Sequence, residues 1–295
     1  MLYFGIAGWS YPDWESIVYP SSRPAGSYHP LRYLRVFIDA VEINVTFYRP
    51  VSTRTSRQWA RLLPRDRPFA VTAKVHQQFT HASPTEWNID DIRAFRAGLG
   101  PLTAHPAFVG WLAQFPYRFH ATPENRAHLE RLRAAFADDR LFVELRHASW
   151  MRPEIRDWLR EHAFEWVSID QPTVGARAMP LVPWVTGTWA YLRLHGRNRA
   201  DWFRPDADRD RRYDYLYDET ELRGIWETFR PAVESADHVI VIANNHFGGK
   251  GMANILQLKA LVTGQPVAAP ATLVQAFPHL RGQLQPVNVT APWSV

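Results

Sequence analysis

Three pairs of polar residues, each two positions apart, carry most of the chemistry this sequence offers: Glu42 with Asn44, Glu144 with Arg146, and Arg193 with His195. Each pair lies in or at the end of a short apolar run of strand-like composition, and alternate residues of a strand face the same way. Each pair is therefore expected to project into one space. Other ionisable or amide side chains fall at the ends of similar runs: Lys74, Gln114, Asp170, Asn244 and Asn245, with His81 and His147 a little beyond. A charge embedded in an apolar strand is costly unless paired. So many together mean either a site or a large structural ion-pair network, and the site is the preferred reading.

Glu42 and Glu144 have the chemistry of an acid/base pair or of metal ligands; the alternative is that each neutralises a cation, Arg146 and Lys74 being the natural partners. Lys74 offers a base, a Schiff-base nucleophile or an anion clamp. With Arg146 and Arg193 expected nearby, the clamp is preferred, because three cations together imply an anionic partner. His81, His147 and His195, with a glutamate or Asp170, form a candidate set for a divalent metal, although no His-Glu-x-x-His spacing is present and hydrogen-bonding histidines are the plainer reading. Trp9, Tyr11, Trp14, Tyr48 and Trp150 follow strand ends, where rings can stack on a base or a sugar. With 13 tryptophans in the chain, any one of them is as readily core. Gly248-Gly249-Lys250-Gly251 precedes a helix and either offers amides to an anion or simply turns the chain. No Ser-His-Asp order, nucleophile elbow or organic-cofactor motif is present.

The elements that must position these residues follow from periodicity. Strand-like runs occur at 3–8, 40–46, 69–74, 107–114, 141–145, 165–169, 189–194 and 238–243, several of them continuously apolar, as strands buried on both faces are. Between them, helices are expected at 53–63, 88–99, 122–137, 152–162, 219–233 and 251–263. Asn88 and Thr122 have the character of N-caps, Pro123 suits a first helical position, and Gly100-Pro101 and Gly264 read as stops. Strand–helix alternation implies a parallel sheet, and eight units favour a closed (β/α)8 barrel, whose functional groups sit where strands end. Residues 172–183 are too short and too rich in Pro and Gly for a good sixth helix. The stretch 196–218 is a long charged loop bearing Arg204, Asp206, Asp208, Arg209, Asp210, Arg211 and Arg212. The whole chain reads as one domain, a barrel over about 1–264 with an irregular tail, 265–295, packed across it.

Composition bounds the rest. The chain has 295 residues, 46% of them apolar, and no cysteine, which removes disulfides and thiolate chemistry and leaves any metal to His, Asp, Glu or Asn. Of its 34 basic residues only Lys74, Lys250 and Lys259 are lysines, and the net charge is +5 with a pI near 9.6. There is no membrane-length apolar run, and the N-terminus lacks a signal-peptide pattern, so a cytoplasmic protein without a membrane partner is expected.

The runs Gly8-Trp9-Ser10-Tyr11-Pro12-Asp13-Trp14, Val41-Glu42-Ile43-Asn44-Val45-Thr46-Phe47-Tyr48, Ala73-Lys74 with Thr80-His81, Glu144-Leu145-Arg146-His147-Ala148-Ser149-Trp150, Tyr191-Leu192-Arg193-Leu194-His195-Gly196 and Asn244-Asn245 resemble, in order, those of the DUF72 or YecE-like family. That resemblance implies a TIM barrel and supplies no reaction. The sequence departs from the family at Ala243, where phenylalanine is usual, and in the spacing of the glycines after Asn245. The reading that follows is an enzyme or ligand-binding barrel for an anionic, ring-containing ligand, such as a phosphorylated sugar, a nucleotide or a nucleic-acid fragment. Lys74, Arg146 and Arg193 would hold the anion. Glu144, with His195, Asp170 or Glu42, would move protons. Asn44, His81, His147, Gln114, Asn244, Asn245 and the rings of Trp9, Tyr11, Tyr48 and Trp150 would line the site. Two alternatives stay open: a metal-dependent hydrolase or isomerase, by fold analogy alone, and a non-catalytic nucleic-acid binder.

Overall fold

The computed structural model describes residues 1–21, 28–172, 178–200, 202, 204 and 209–289. Eight strands run parallel: β1 (Leu2–Ala7), β2 (Ala40–Ile43), β3 (Ala70–Lys74), β4 (Phe108–Gln114), β5 (Leu141–Glu144), β6 (Phe164–Asp170), β7 (Trp189–Leu194) and β8 (His238–Ala243). Each pairs with the next, and β8 returns to β1 through Leu2↔Val239 and Tyr3↔Ile240, closing the (β/α)8 barrel expected from the sequence. Around it run α1 (Pro30–Leu34), α2 (Val45–Tyr48), α3 (Thr53–Leu62), α4 (Gln77–Thr80), α5 (Ile89–Thr103), α6 (Pro123–Ala135), α7 (Pro153–Glu161), α8 (Arg209–Arg212), α9 (Glu219–Ser235) and α10 (Lys250–Thr263). No helix among the described residues is long and apolar enough to cross a membrane.

Helix starts follow local chemistry. Asn88 and Asp91 form a reciprocal capping box, as do Asp218 and Glu221, and Thr122 accepts from the Asn125 amide ahead of Pro123. The barrel interior is built by alternation along β7, where Trp189, Tyr191, Arg193 and the following His195 share one face. Trp189 stacks on Tyr3 at 6.0 Å and meets Phe142 edge-on, closing the lower end. Tyr191 packs edge-on to Phe142 one step higher, at 5.0 Å. The lower half is thus aromatic and the upper half ionic.

Four expectations are corrected. The run 40–46 does not stay extended: Asn44 takes αR geometry and α2 begins at Val45. The β-branched Thr46 looks like a strand residue, but its hydroxyl lies 3.0 Å from the Ile43 carbonyl and 2.7 Å from that of Lys74, which turns the chain. The helix expected to end at Leu99 runs to Thr103 with Pro101 inside it. Past the proline, the Leu102 amide donates to Ser56 Oγ of α3 at 3.1 Å, so a tertiary contact holds the final turn. The described part of the tail, 265–289, is not irregular. β9 (Val267–Pro270) and β10 (Leu284–Val287) pair in parallel, joined through α11 (Ala271–Ala276). They lie against α10 on the barrel's flank, not across it. The 196–218 loop contains the short α8, while Asp206 and Asp208 lie outside the described residues, as do 173–177 of the weak sixth unit.

Candidate functional site

The upper barrel holds a continuous polar network. Arg193 is fully buried; its Nε and Nη2 donate to the two oxygens of Glu42, at 2.8 and 2.6 Å, and its Nη1 donates to Glu144. Glu42 also accepts from Tyr191 at 2.8 Å, and the Tyr191 hydroxyl lies 3.0 Å from Thr72. Arg146 donates through Nε to Glu144 at 2.6 Å, and His195 Nε2 lies 3.3 Å from the same carboxylate. Asn244 Nδ2 is 3.0 Å from His195 Nδ1. The consistent assignment has the Asn244 amide donating to Nδ1, which puts the imidazole proton on Nε2, pointing at Glu144. Lys74 Nζ donates to Gln114 Oε1 at 2.8 Å and lies 4.3 Å from the centre of the Phe47 ring.

Burial and charge set the protonation states. Burial pushes Glu144 up, but Arg193, Arg146 and His195 outweigh it and hold the carboxyl well below its usual range. Burial pushes His195 down to about 3; Arg146 and Arg193 act the same way, and Glu144 opposes them without reversing the shift. The imidazole is therefore neutral. Burial, reinforced by Arg193 and Arg146, lowers Lys74 to about 7 against the pull of Glu42 and Glu144. His81, lowered to about 4 by burial and by the Lys74 and Arg146 charges, is neutral as well.

The cations of this network are not equivalent. Arg193 is enclosed by two glutamates and is part of the wall. Arg146, with 14% of its side chain exposed, is engaged strongly only through Nε. Its Nη2 lies 3.4 Å from His195 Nε2, a nitrogen that already bears a proton in the tautomer above, and its Nη1 makes no hydrogen bond among the described residues. Above it stand the rings of Trp202 and Tyr213, centred 6.1 and 6.2 Å from the His195 ring.

The other residues singled out from the sequence are distributed around this centre. Trp9, Tyr11, Asn44 and Tyr48 line a separate cavity of about 210 Å³ together with Gly8, Ser10 and Trp59. Gly8, at φ 76°, ends β1 there, and a β-carbon would sit 2.6 Å from the Tyr11 hydroxyl. Phe47 stands between this cavity and the ionic centre, its ring edge-on to Tyr48 at 5.0 Å and against Lys74. His81 borders the Phe47 ring at 5.0 Å. His147 stacks on His120 at 3.9 Å, and Trp150 is wholly buried with its indole donating to the Phe119 carbonyl. Asn245 binds the Tyr215 carbonyl and Asn254, clipping the long loop to α10. Asp170 lies apart from Glu144. In the β6–β7 register Ile169 pairs with Arg193 and takes the inner position, while Asp170 pairs with Leu194 and faces outward. There Arg197 grips it, closest at 2.6 Å, and the Tyr217 hydroxyl donates to it at 2.6 Å. Sequence reasoning missed Tyr191, Thr72, Arg197, Tyr213 and Trp202. The first two are readable by extending the alternation below Arg193 and Lys74, whereas the last three lie on a segment with no period to follow. The Gly248 amide, a candidate anion donor, binds Asp13 at 2.6 Å. Among the described residues no three His, Asp or Glu side chains gather as a metal-ligand set.

These features define a (β/α)8 barrel with a charged, aromatic-rimmed mouth. The chain matches the family described as "Protein of unknown function DUF72" over residues 3–276 and belongs to it. It is 27% identical over 274 residues to the UPF0759 protein YunF of Bacillus subtilis (strain 168), covering 89% of this chain and 95% of that one. A DUF72 family protein of Thermotoga maritima MSB8 superposes with a TM-score of 0.77 at 33% identity, covering 89% of this chain and 99% of its own. One from Enterococcus faecalis V583 does so at 0.78 and 26%, covering 89% and 96%.

Proposed function

We propose that the barrel mouth binds an anionic, ring-containing small molecule, as an enzyme or a ligand-binding protein, with Arg146 as the group that reads the anion. One observation carries this: Arg146 is fixed by Glu144 through Nε yet keeps its Nη1 donors unengaged among the described residues. A guanidinium held in place with unused donors is preorganised for a carboxylate or phosphate. Lys74, whose one hydrogen bond among the described residues goes to a neutral amide oxygen, supplies a second donor. When it is protonated, Lys74, Arg146 and Arg193 face two carboxylates, Glu42 and Glu144, leaving one positive charge in excess. Trp202 and Tyr213 supply the stacking surface. Glu144 accepts from two arginines and faces His195, so its role in this reading is to position Arg146 and His195 more than to move protons.

No observation favours the other two readings. The metal-dependent one lacks a ligand set among the described residues. The nucleic-acid one asks for a basic stripe, but many exposed arginines are already paired along their own helices, as Arg93 with Asp90, Arg160 with Asp157 and Arg223 with Glu219. A thermal-shift comparison of AMP and ribose 5-phosphate with adenosine and ribose tests the proposal. A phosphorylated ligand at 100 times its Kd should raise Tm by roughly 5 °C or more, with no rise for its uncharged counterpart. Equal shifts within each pair would contradict it.

A further inference from the structure

We infer that Lys74 is an amine nucleophile that condenses with the carbonyl carbon of an anionic aldehyde or ketone held at the barrel mouth, forming an imine. This deepens the reading above and rests on Arg146 holding the anionic end of that compound.

The chain has only three lysines, and they are placed differently. Lys250 is ion-paired with Asp214, and Lys259 donates to Asp39 at 2.6 Å. Lys74 ends β3 inside the mouth, 7% exposed, and no ion pair involves it among the described residues; its ammonium meets only the neutral Gln114 oxygen and the face of Phe47. Two glutamates lie near enough to act on it electrostatically, but Arg193 takes both oxygens of Glu42 and one of Glu144, and Arg146 takes the other. A buried ammonium without a carboxylate is an expensive way to fill space, which methionine would fill better. The arrangement makes sense if the neutral amine is the working form. The charged and titratable groups around it are Glu42, Glu144, Arg146, Arg193 and His81, and their summed effect with burial leaves the amine about half neutral near pH 7. An amine at its ordinary pKa of about 10.4 is neutral in only about one part in 2,500 there.

The step balances without a redox partner. The Nζ lone pair attacks the carbonyl carbon while the carbonyl π pair moves to oxygen, which takes a proton from water. Nζ releases one proton to give the carbinolamine. The hydroxyl then takes up a second proton and leaves as water as the nitrogen lone pair forms the C=N bond. One amine, one carbonyl compound and one proton taken from solvent give one iminium ion and one water; loss of the remaining N–H proton to solvent leaves the neutral imine.

The test is reductive trapping. The protein is incubated with glyceraldehyde 3-phosphate or with uncharged glyceraldehyde, together with cyanoborohydride, and each lysine is read by peptide mass mapping. With the phosphate, the reduced adduct is expected on Lys74 at least about tenfold faster than on Lys250 or Lys259, which serve as internal standards. Its rate should rise through pH 7 and then level, and the Lys74→Met variant should leave only the slow background. Labelling of the three lysines at one rate, or none on Lys74, overturns the inference. The two readings fail separately. Calorimetric binding of inorganic phosphate with no adduct on Lys74 removes the imine and keeps the anion site. Rapid Lys74 labelling by both aldehydes alike, unchanged by Arg146→Ala, keeps the nucleophile and removes the anion site.

Discussion

Arg193 carries its charge with no solvent contact, and its position is explained by the two carboxylates that enclose it. Removing one partner of such a group leaves a buried charge uncompensated, at a cost of about 3–5 kcal/mol. Glu42→Gln should therefore lower stability by that amount in chemical denaturation; a change under about 1 kcal/mol would show that Arg193 finds another partner. Lys74 predicts the opposite sign. Its pKa in the folded protein, about 7, lies below the ordinary lysine value, so the unfolded chain binds the extra proton more readily between the two. Stability from this group is complete above the unfolded value and is lost as pH falls toward 7. Lys74→Met should thus stabilise the protein by about 1–4 kcal/mol at neutral pH, with the advantage shrinking as pH rises toward 10. An advantage that stays constant across that range would contradict the assignment. At this scale the sequence was most legible where alternation applied: Glu42, Glu144, Arg193 and His195 were named from spacing and meet in one network. It was least legible in phase. Asp170 ends its strand as Lys74 and Glu144 end theirs, but one step of register turns it outward to Arg197. The saturation of Arg193 was also invisible, because spacing gives a direction and not a partner.

Elements were read well where local signals agreed and misread where a tertiary contact overrode them. The caps at Asn88 and Thr122 start helices as their residue types require. Pro101 is a stop signal that Ser56 overrides by receiving the Leu102 amide. Ser56→Ala should cost about 1 kcal/mol and selectively speed hydrogen exchange at Leu102, while the rest of α5 stays protected. Unchanged exchange at Leu102 would mean the last turn holds without that bond. The turn after β2 follows the same logic, since Thr46 bonds to β3, which no local pattern announces. The tail was unreadable for a related reason: β9 and β10 are four residues each, too short for a periodic signal, and they form a separate two-stranded sheet across α11.

At the scale of the whole molecule, counting eight strand–helix units pointed to the closed barrel, the usual arrangement of eight successive parallel β/α units, and β8 does return to β1. Closure also explains why residues from 42 to 244 meet: successive strands bring their ends to one mouth. What the count could not give is the division of that mouth into an ionic centre and a flanking aromatic cavity, with Phe47 between them. The net charge of +5 was a weak guide, since many surface arginines are neutralised along their own helices. In the proposed reading the charge that matters is the Arg146 guanidinium, whose Nη1 makes no hydrogen bond among the described residues.

The most direct test of that claim is calorimetric titration of the phosphorylated ligand that gives the largest thermal shift into wild type, Arg146→Ala and Arg146→Lys, each checked for an intact melting transition. The account predicts a loss of roughly 10–100-fold in affinity for Arg146→Ala, with Arg146→Lys recovering only part of it because lysine lacks the planar pair of donors. Affinity unchanged in a folded Arg146→Ala protein would contradict it.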